Sequence, residues 1–80
     1  MPIAVSPARI VDARKAACPL PILELARALR GMEPGEEVLL LATDPAVDAD
    51  LHAFCDATGH RLLSFEVRGE EIRAHLRKSG

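Results

Sequence analysis

An 80-residue chain with 49% hydrophobic and 28% charged residues has length for one core and not for two, and that balance excludes extended disorder. Its longest uninterrupted apolar run, Val38 to Ala42, is too short to cross a bilayer. A net charge of −2, with neither Trp nor Tyr, argues against a nucleic-acid-binding domain, which needs a dominant basic surface and often aromatic platforms.

The charge is divided along the chain. From Arg9 to Arg30, Arg9, Arg14, Lys15, Arg27 and Arg30 face only Asp12 and Glu24. From Glu33 to Asp56 the acids Glu33, Glu36, Glu37, Asp44, Asp48, Asp50 and Asp56 occur with no Lys or Arg between them. A bipolar surface of this kind suits docking with a protein partner.

Taken in chain order, the pattern predicts a short strand over Arg9 to Ala13, with Ile10 inward and Val11 on the other face. The next landmark is Ala17-Cys18-Pro19-Leu20-Pro21, at the head of a helix expected over Pro19 to Arg30. Ile22, Leu25, Ala26 and Leu29 form its inward stripe. Both prolines suit a helix start, where a missing N–H costs no intrahelical bond. Cys18 is thereby placed beside unpaired N–H groups and the positive end of the helix dipole. Such a position lowers a thiol pKa and favours the nucleophilic thiolate. Gly31 caps the helix, and Glu33-Pro34-Gly35 turns the chain.

Glu37 to Thr43 reads as an interior strand, apolar on both faces. Asp44 and Pro45 then open a second helix as N-cap and first helical residue. Val47, Leu51, Phe54 and Thr58 point inward and Gly59 ends it. Arg61 to Val67 alternates as a strand with Leu63, Phe65 and Val67 on one face. A hairpin at Arg68 to Glu71 leads to a last strand carrying Ile72, Ala74 and Leu76. The order β-α-β-α-β-β predicts an α/β two-layer sandwich, with two helices on one face of a four-stranded mixed sheet. The whole chain, 1–80, is expected to form a single domain with its core at about 9–78.

These landmarks in this order resemble TusA-type sulfur carriers, also called SirA-like proteins, from about Arg9 to Lys78. The residues that carry the resemblance are Asp12-Ala13-Arg14, Cys18-Pro19-Leu20-Pro21, the Pro34-Gly35 turn, Thr43-Asp44-Pro45, the Phe54-Cys55 pair and Gly59-His60. The resemblance implies a sandwich like the C-terminal domain of bacterial translation initiation factor three. It implies that Cys18 carries sulfur as a persulfide, framed by Pro19 and Pro21. A cysteine desulfurase or rhodanese-like protein would supply the sulfur, and another protein would receive it, for tRNA thiolation, molybdenum cofactor assembly or dissimilatory sulfur oxidation. It implies a sulfurtransferase-type carrier rather than an enzyme acting on a small molecule. Lys15 stands where the family usually has glycine, and Ala16 where it has a larger apolar residue. The loop before Cys18 is therefore expected to take a different path, since glycine alone accepts positive φ freely.

Arg14 and Lys15 read equally as solvated charges or as stabilisers of a sulfur anion, and Arg27 as a contact for a partner. Cys55 reads as a packed thiol on the flank of the second helix. Asp48, His52 and Cys55 are half of a metal site that no second cluster completes, so neither metal nor cofactor is expected. Asp44 is accounted for by helix capping, His60 by the turn after Gly59, and His75 has no evident role. No signal peptide is visible, and a cytoplasmic monomer without membrane or direct nucleic-acid contact is expected. The rival reading is a non-catalytic interaction or redox-regulatory domain. A thiol oxidoreductase is disfavoured because there is no Cys-x-x-Cys.

Overall fold

The computed structural model describes residues 9–80. Its elements follow the expected order: β1 (Arg9–Ala13), α1 (Leu20–Arg30), β2 (Glu37–Ala42), α2 (Val47–Thr58), β3 (Arg61–Arg68) and β4 (Glu71–Arg77). The strands form one mixed sheet in the order β1-β2-β4-β3. β1 and β2 are parallel, which requires a crossover, and α1 supplies it. β4 pairs antiparallel with both β2 and β3.

Register explains which side chains are buried. Val38, Leu40 and Ala42 stand opposite Leu76, Ala74 and Ile72, so the two central strands present one continuous apolar face. Leu25 and Leu29 of α1 and Val47 and Leu51 of α2 close over it, all nearly or wholly buried. Each fully buried Leu or Val contributes about 1.5–3 kcal/mol. α2 ends at Gly59, whose φ of +83° is the left-handed angle that glycine takes without a Cβ clash, while its N–H closes on the Cys55 carbonyl at 2.8 Å.

Four details differ from the sequence reading. Ile10 is 63% exposed, whereas Val11 packs against the core. Pairing of Val11 with Leu40 and of Ile10 with Leu39 decides this. In β3 a bulge between Leu62 and Ser64 breaks the alternation. Leu62 and Phe65 pack on the core, while Leu63 is exposed. α2 starts at Val47 rather than Pro45, with Asp44 turning the chain just ahead of it. Thr58 is exposed rather than inward.

Candidate functional site

Because β1 and β2 run parallel and Ala13 pairs with Ala42, the loops leaving both strands emerge side by side. Two hydrogen bonds join them. The Lys15 N–H donates to Thr43 Oγ1 at 2.7 Å, and the Cys18 N–H donates to Asp44 Oδ2 at 2.9 Å. The other carboxylate oxygen of Asp44 accepts from the Ala46 N–H at 2.9 Å. One side chain thus turns the chain into α2 and holds the backbone of Cys18. These contacts hold its carboxyl below the usual carboxylate range, the Cys18 N–H first and the Ala46 N–H second. Helix capping alone does not account for Asp44.

Lys15 itself sits at φ +71°. The loop therefore takes the left-handed step that glycine would take freely, despite the side chain. That angle is held at a cost in backbone strain.

The start of α1 is unlike the anion-welcoming terminus expected. Pro19 and Pro21 have no N–H, Leu20 donates to the Ala17 carbonyl at 2.9 Å, and Ile22 donates to the Pro19 carbonyl at 3.1 Å. With the Cys18 N–H engaged by Asp44, every backbone donor from Cys18 to Ile22 is absent or occupied. Cys18 is half-buried and packs partly against the core. Burial is the largest influence on its thiol, followed by Asp50 acting as hydrogen-bond acceptor and as a charge, and then by the charge of Asp44; together they push it up to about 11. The expectation of an acidified Cys18 is corrected: its surroundings favour the neutral thiol.

The basic residues of the loop do not reverse this. Arg14 pairs with Asp12 through Nε at 2.9 Å and Nη2 at 2.7 Å, and with Glu71 at 3.1 Å. That pairing draws the Asp12 carboxyl down to about 2. The side chain of Lys15 is exposed. Arg27 is exposed near the far end of α1, on the outward side that also presents Leu20 and Leu23, each more than half exposed. Thus the structure brings Lys15 and Cys18, at the head of α1, against Thr43 and Asp44, with Asp50 acting on the Cys18 thiol. It ties Arg14 elsewhere and leaves Arg27 at a distance along the helix.

Asp50 escaped the sequence reading because no local signal points from the second helix to a loop more than thirty residues earlier. Thr43 and Asp44 were visible only as a helix start. The parallel pairing of β1 with β2 is the missing step.

Cys55 is half-buried on α2, and burial first and Asp56 second raise its thiol. The Asp48 carbonyl oxygen accepts from His52 Nδ1 at 2.7 Å, and the Asp48 carboxylate lies 3.1 Å from the same nitrogen. No group of three His, Cys, Asp or Glu side chains suited to a metal occurs among the described residues. His60 serves the C-terminal segment rather than the turn, its Nδ1 accepting from the Ser79 N–H at 3.1 Å. His75 Nε2 lies 2.7 Å from Glu37 Oε1 on the sheet face away from the helices, close enough for an ion pair when the ring is protonated but outside hydrogen-bond geometry. A groove of about 520 Å³ lies between α2 and the β3–β4 hairpin, lined by Thr43, Pro45, Asp48, Phe65, Val67 and Ile72 among others; Cys18 does not line it.

Three comparisons bear on this arrangement. The family described as Sulfurtransferase TusA matches residues 9–78. YrkF of Bacillus subtilis (strain 168), whose name proposes it as a sulfur carrier protein, is 39% identical over 71 residues. That match covers 89% of this chain but only 38% of the relative. The crystal structure of a SirA-like protein from Desulfitobacterium hafniense superimposes with a TM-score of 0.76 at 20% identity, over 90% of this chain and 99% of that one. At that identity the likeness speaks for the fold, which is the same sandwich. No described helix is long and apolar enough to cross a membrane. With the family match running from β1 to the residue after β4, the chain belongs to the sulfurtransferase TusA family.

Proposed function

We propose that this chain is a sulfur relay that holds sulfane sulfur as a persulfide on Cys18 and passes it from a donor protein to an acceptor. The observation that carries the reading is the backbone clasp of Asp44 on Cys18, at 2.9 Å, within a family of sulfur-handling proteins. It holds a half-exposed cysteine in one direction at the head of α1. Exposed Leu20, Leu23 and Arg27 on the outward side of α1 offer a surface for the partner that delivers or takes the sulfur.

The chemistry needs two thiol exchanges and no cofactor. In the first, the Cys18 thiolate attacks the outer sulfur of a donor persulfide, and the donor cysteine leaves with the bonding electron pair. In the second, an acceptor thiolate attacks the outer sulfur on Cys18, and Cys18 leaves as a thiolate. The donor is a cysteine desulfurase or a rhodanese-like protein. The acceptor is a relay protein or a thiolation enzyme.

Mass spectrometry of the chain after incubation with a desulfurase and cysteine, or with a rhodanese and thiosulfate, tests the reading. One added sulfur on the Cys18 peptide is expected from at least one donor. Absence of added sulfur from both, or addition only at Cys55, contradicts it.

A further inference from the structure

A nucleophilic or leaving thiolate is ordinarily surrounded by donors or positive charge. Around Cys18 the arrangement is the opposite. Asp44 from the β2–α2 connection is bonded to its N–H. Asp50, in the first turn of α2, acts on its thiol as an acceptor and as a negative charge. The first turn of α1 contributes no acidic residue, and the basic residues of that helix, Arg27 and Arg30, lie in its last turn. Arg14 is held by Asp12 and Glu71.

We propose that Asp44 and Asp50 form a charge gate on the sulfur of Cys18, selecting donor and acceptor surfaces that carry Lys or Arg beside their reactive cysteine. The partner's identity rests on the relay reading above; the gate itself rests only on Cys18 and its two carboxylates.

The gate acts at the step where charge develops. When an acceptor thiolate attacks the outer sulfur, the bond between that sulfur and Cys18 Sγ breaks, and its electron pair stays on Sγ. No net oxidation occurs, because one persulfide is exchanged for another. The departing Cys18 thiolate forms against two negative groups, which disfavours release to any passing neutral or anionic thiol. A docked Lys or Arg offsets those charges and lowers the barrier. The same two carboxylates retain cargo between partners and open to a cationic one. Asp44 also positions the sulfur through the backbone, whereas Asp50, exposed on α2, acts through its charge.

Charged thiol reagents test the gate without any sulfur transfer. The native chain is treated with 2-(trimethylammonium)ethyl or 2-sulfonatoethyl methanethiosulfonate, and labelling is followed on the Cys18 peptide by mass spectrometry. At one pH the thiolate fraction cancels between the reagents, so the ratio of their rates reads the local field. Relative to N-acetylcysteine amide, the cation-to-anion ratio at Cys18 is expected to be higher by on the order of tenfold at low salt, shrinking in high salt. Asp50→Asn should reduce the excess several-fold and move the pH midpoint of Cys18 labelling downward, with the circular dichroism spectrum unchanged. Asp44→Asn should do the same where it folds, and Asp50→Asn carries the test where it does not.

A ratio equal to that of the free thiol, or one unchanged in Asp50→Asn, overturns the gate. Persulfide-loaded protein gives the partner arm, with transfer to a Lys-Cys-Lys peptide expected to outpace transfer to Glu-Cys-Glu beyond the difference in their own thiolate fractions. Equal corrected rates overturn the selection of cationic partners. A raised reagent ratio without any persulfide loading upholds the gate and overturns the relay reading.

Discussion

At the scale of single residues, Lys15 is the most informative departure. A left-handed angle costs an L-residue roughly 1–2 kcal/mol, and glycine gives back about 0.5–1 kcal/mol of that in unfolded-state entropy. With φ at +71°, Lys15→Gly is therefore expected to stabilise the chain by about 0.5–1 kcal/mol. Denaturant unfolding measures it, and a loss of stability would show that the lysine side chain contributes more than its backbone strain. The sequence pointed to this position through the usual glycine of the family. What it did not show was the Thr43 hydroxyl that holds the Lys15 N–H at 2.7 Å, or the Asp44 carboxylate that accepts from the Cys18 N–H. Those contacts are made between loops far apart in the chain and depend on the strand pairing.

At the scale of elements, composition and periodicity made both helices and all four strands legible, because caps, turn residues and apolar spacing agree locally. They failed where one residue shifts a face. The bulge in β3 exchanges Leu62 for Leu63 at the core, and an alternating pattern carries no sign of an inserted residue. The start of α1 failed for a different reason. Counting its N–H groups as vacant ignored that two of its first residues are prolines and that Leu20 and Ile22 already have carbonyl partners. Pro21 is also fully buried, so its role exceeds stiffness. Pro21→Ala is expected to cost about 1–2 kcal/mol, since roughly two methylenes leave the core, rather than to leave stability unchanged. Thermal unfolding checks this, and an unaltered midpoint would mean that the helix gains from alanine what the core loses.

At the scale of the molecule, charge pairing covers the sheet face away from the helices. Glu37 joins His75 and Arg77 at 2.7 and 3.0 Å, and its carboxyl is held below the ordinary range, first by the Arg77 hydrogen bond. His60 tests how the fold responds to acid. Burial first and Lys78 second lower its pKa, and its Nδ1 must be unprotonated to accept from Ser79. A histidine with a depressed native pKa contributes stability that is complete above its unfolded value of 6.5 and is lost as pH falls through the native value. Melting temperature should therefore decline as pH drops below about 6.5, before the carboxylates titrate, and His60→Gln should flatten that limb. A decline of equal slope in the variant would assign it to other groups.

In the sulfur-relay reading, Cys18 carries the sulfur. Side-by-side mass spectrometry of the parent, Cys18→Ser and Cys55→Ser after incubation with a desulfurase and cysteine, and with a rhodanese and thiosulfate, tests it most directly. One added sulfur is expected in the parent and in Cys55→Ser, and none in Cys18→Ser with its fold intact. Sulfur that remains in Cys18→Ser and disappears in Cys55→Ser would contradict it.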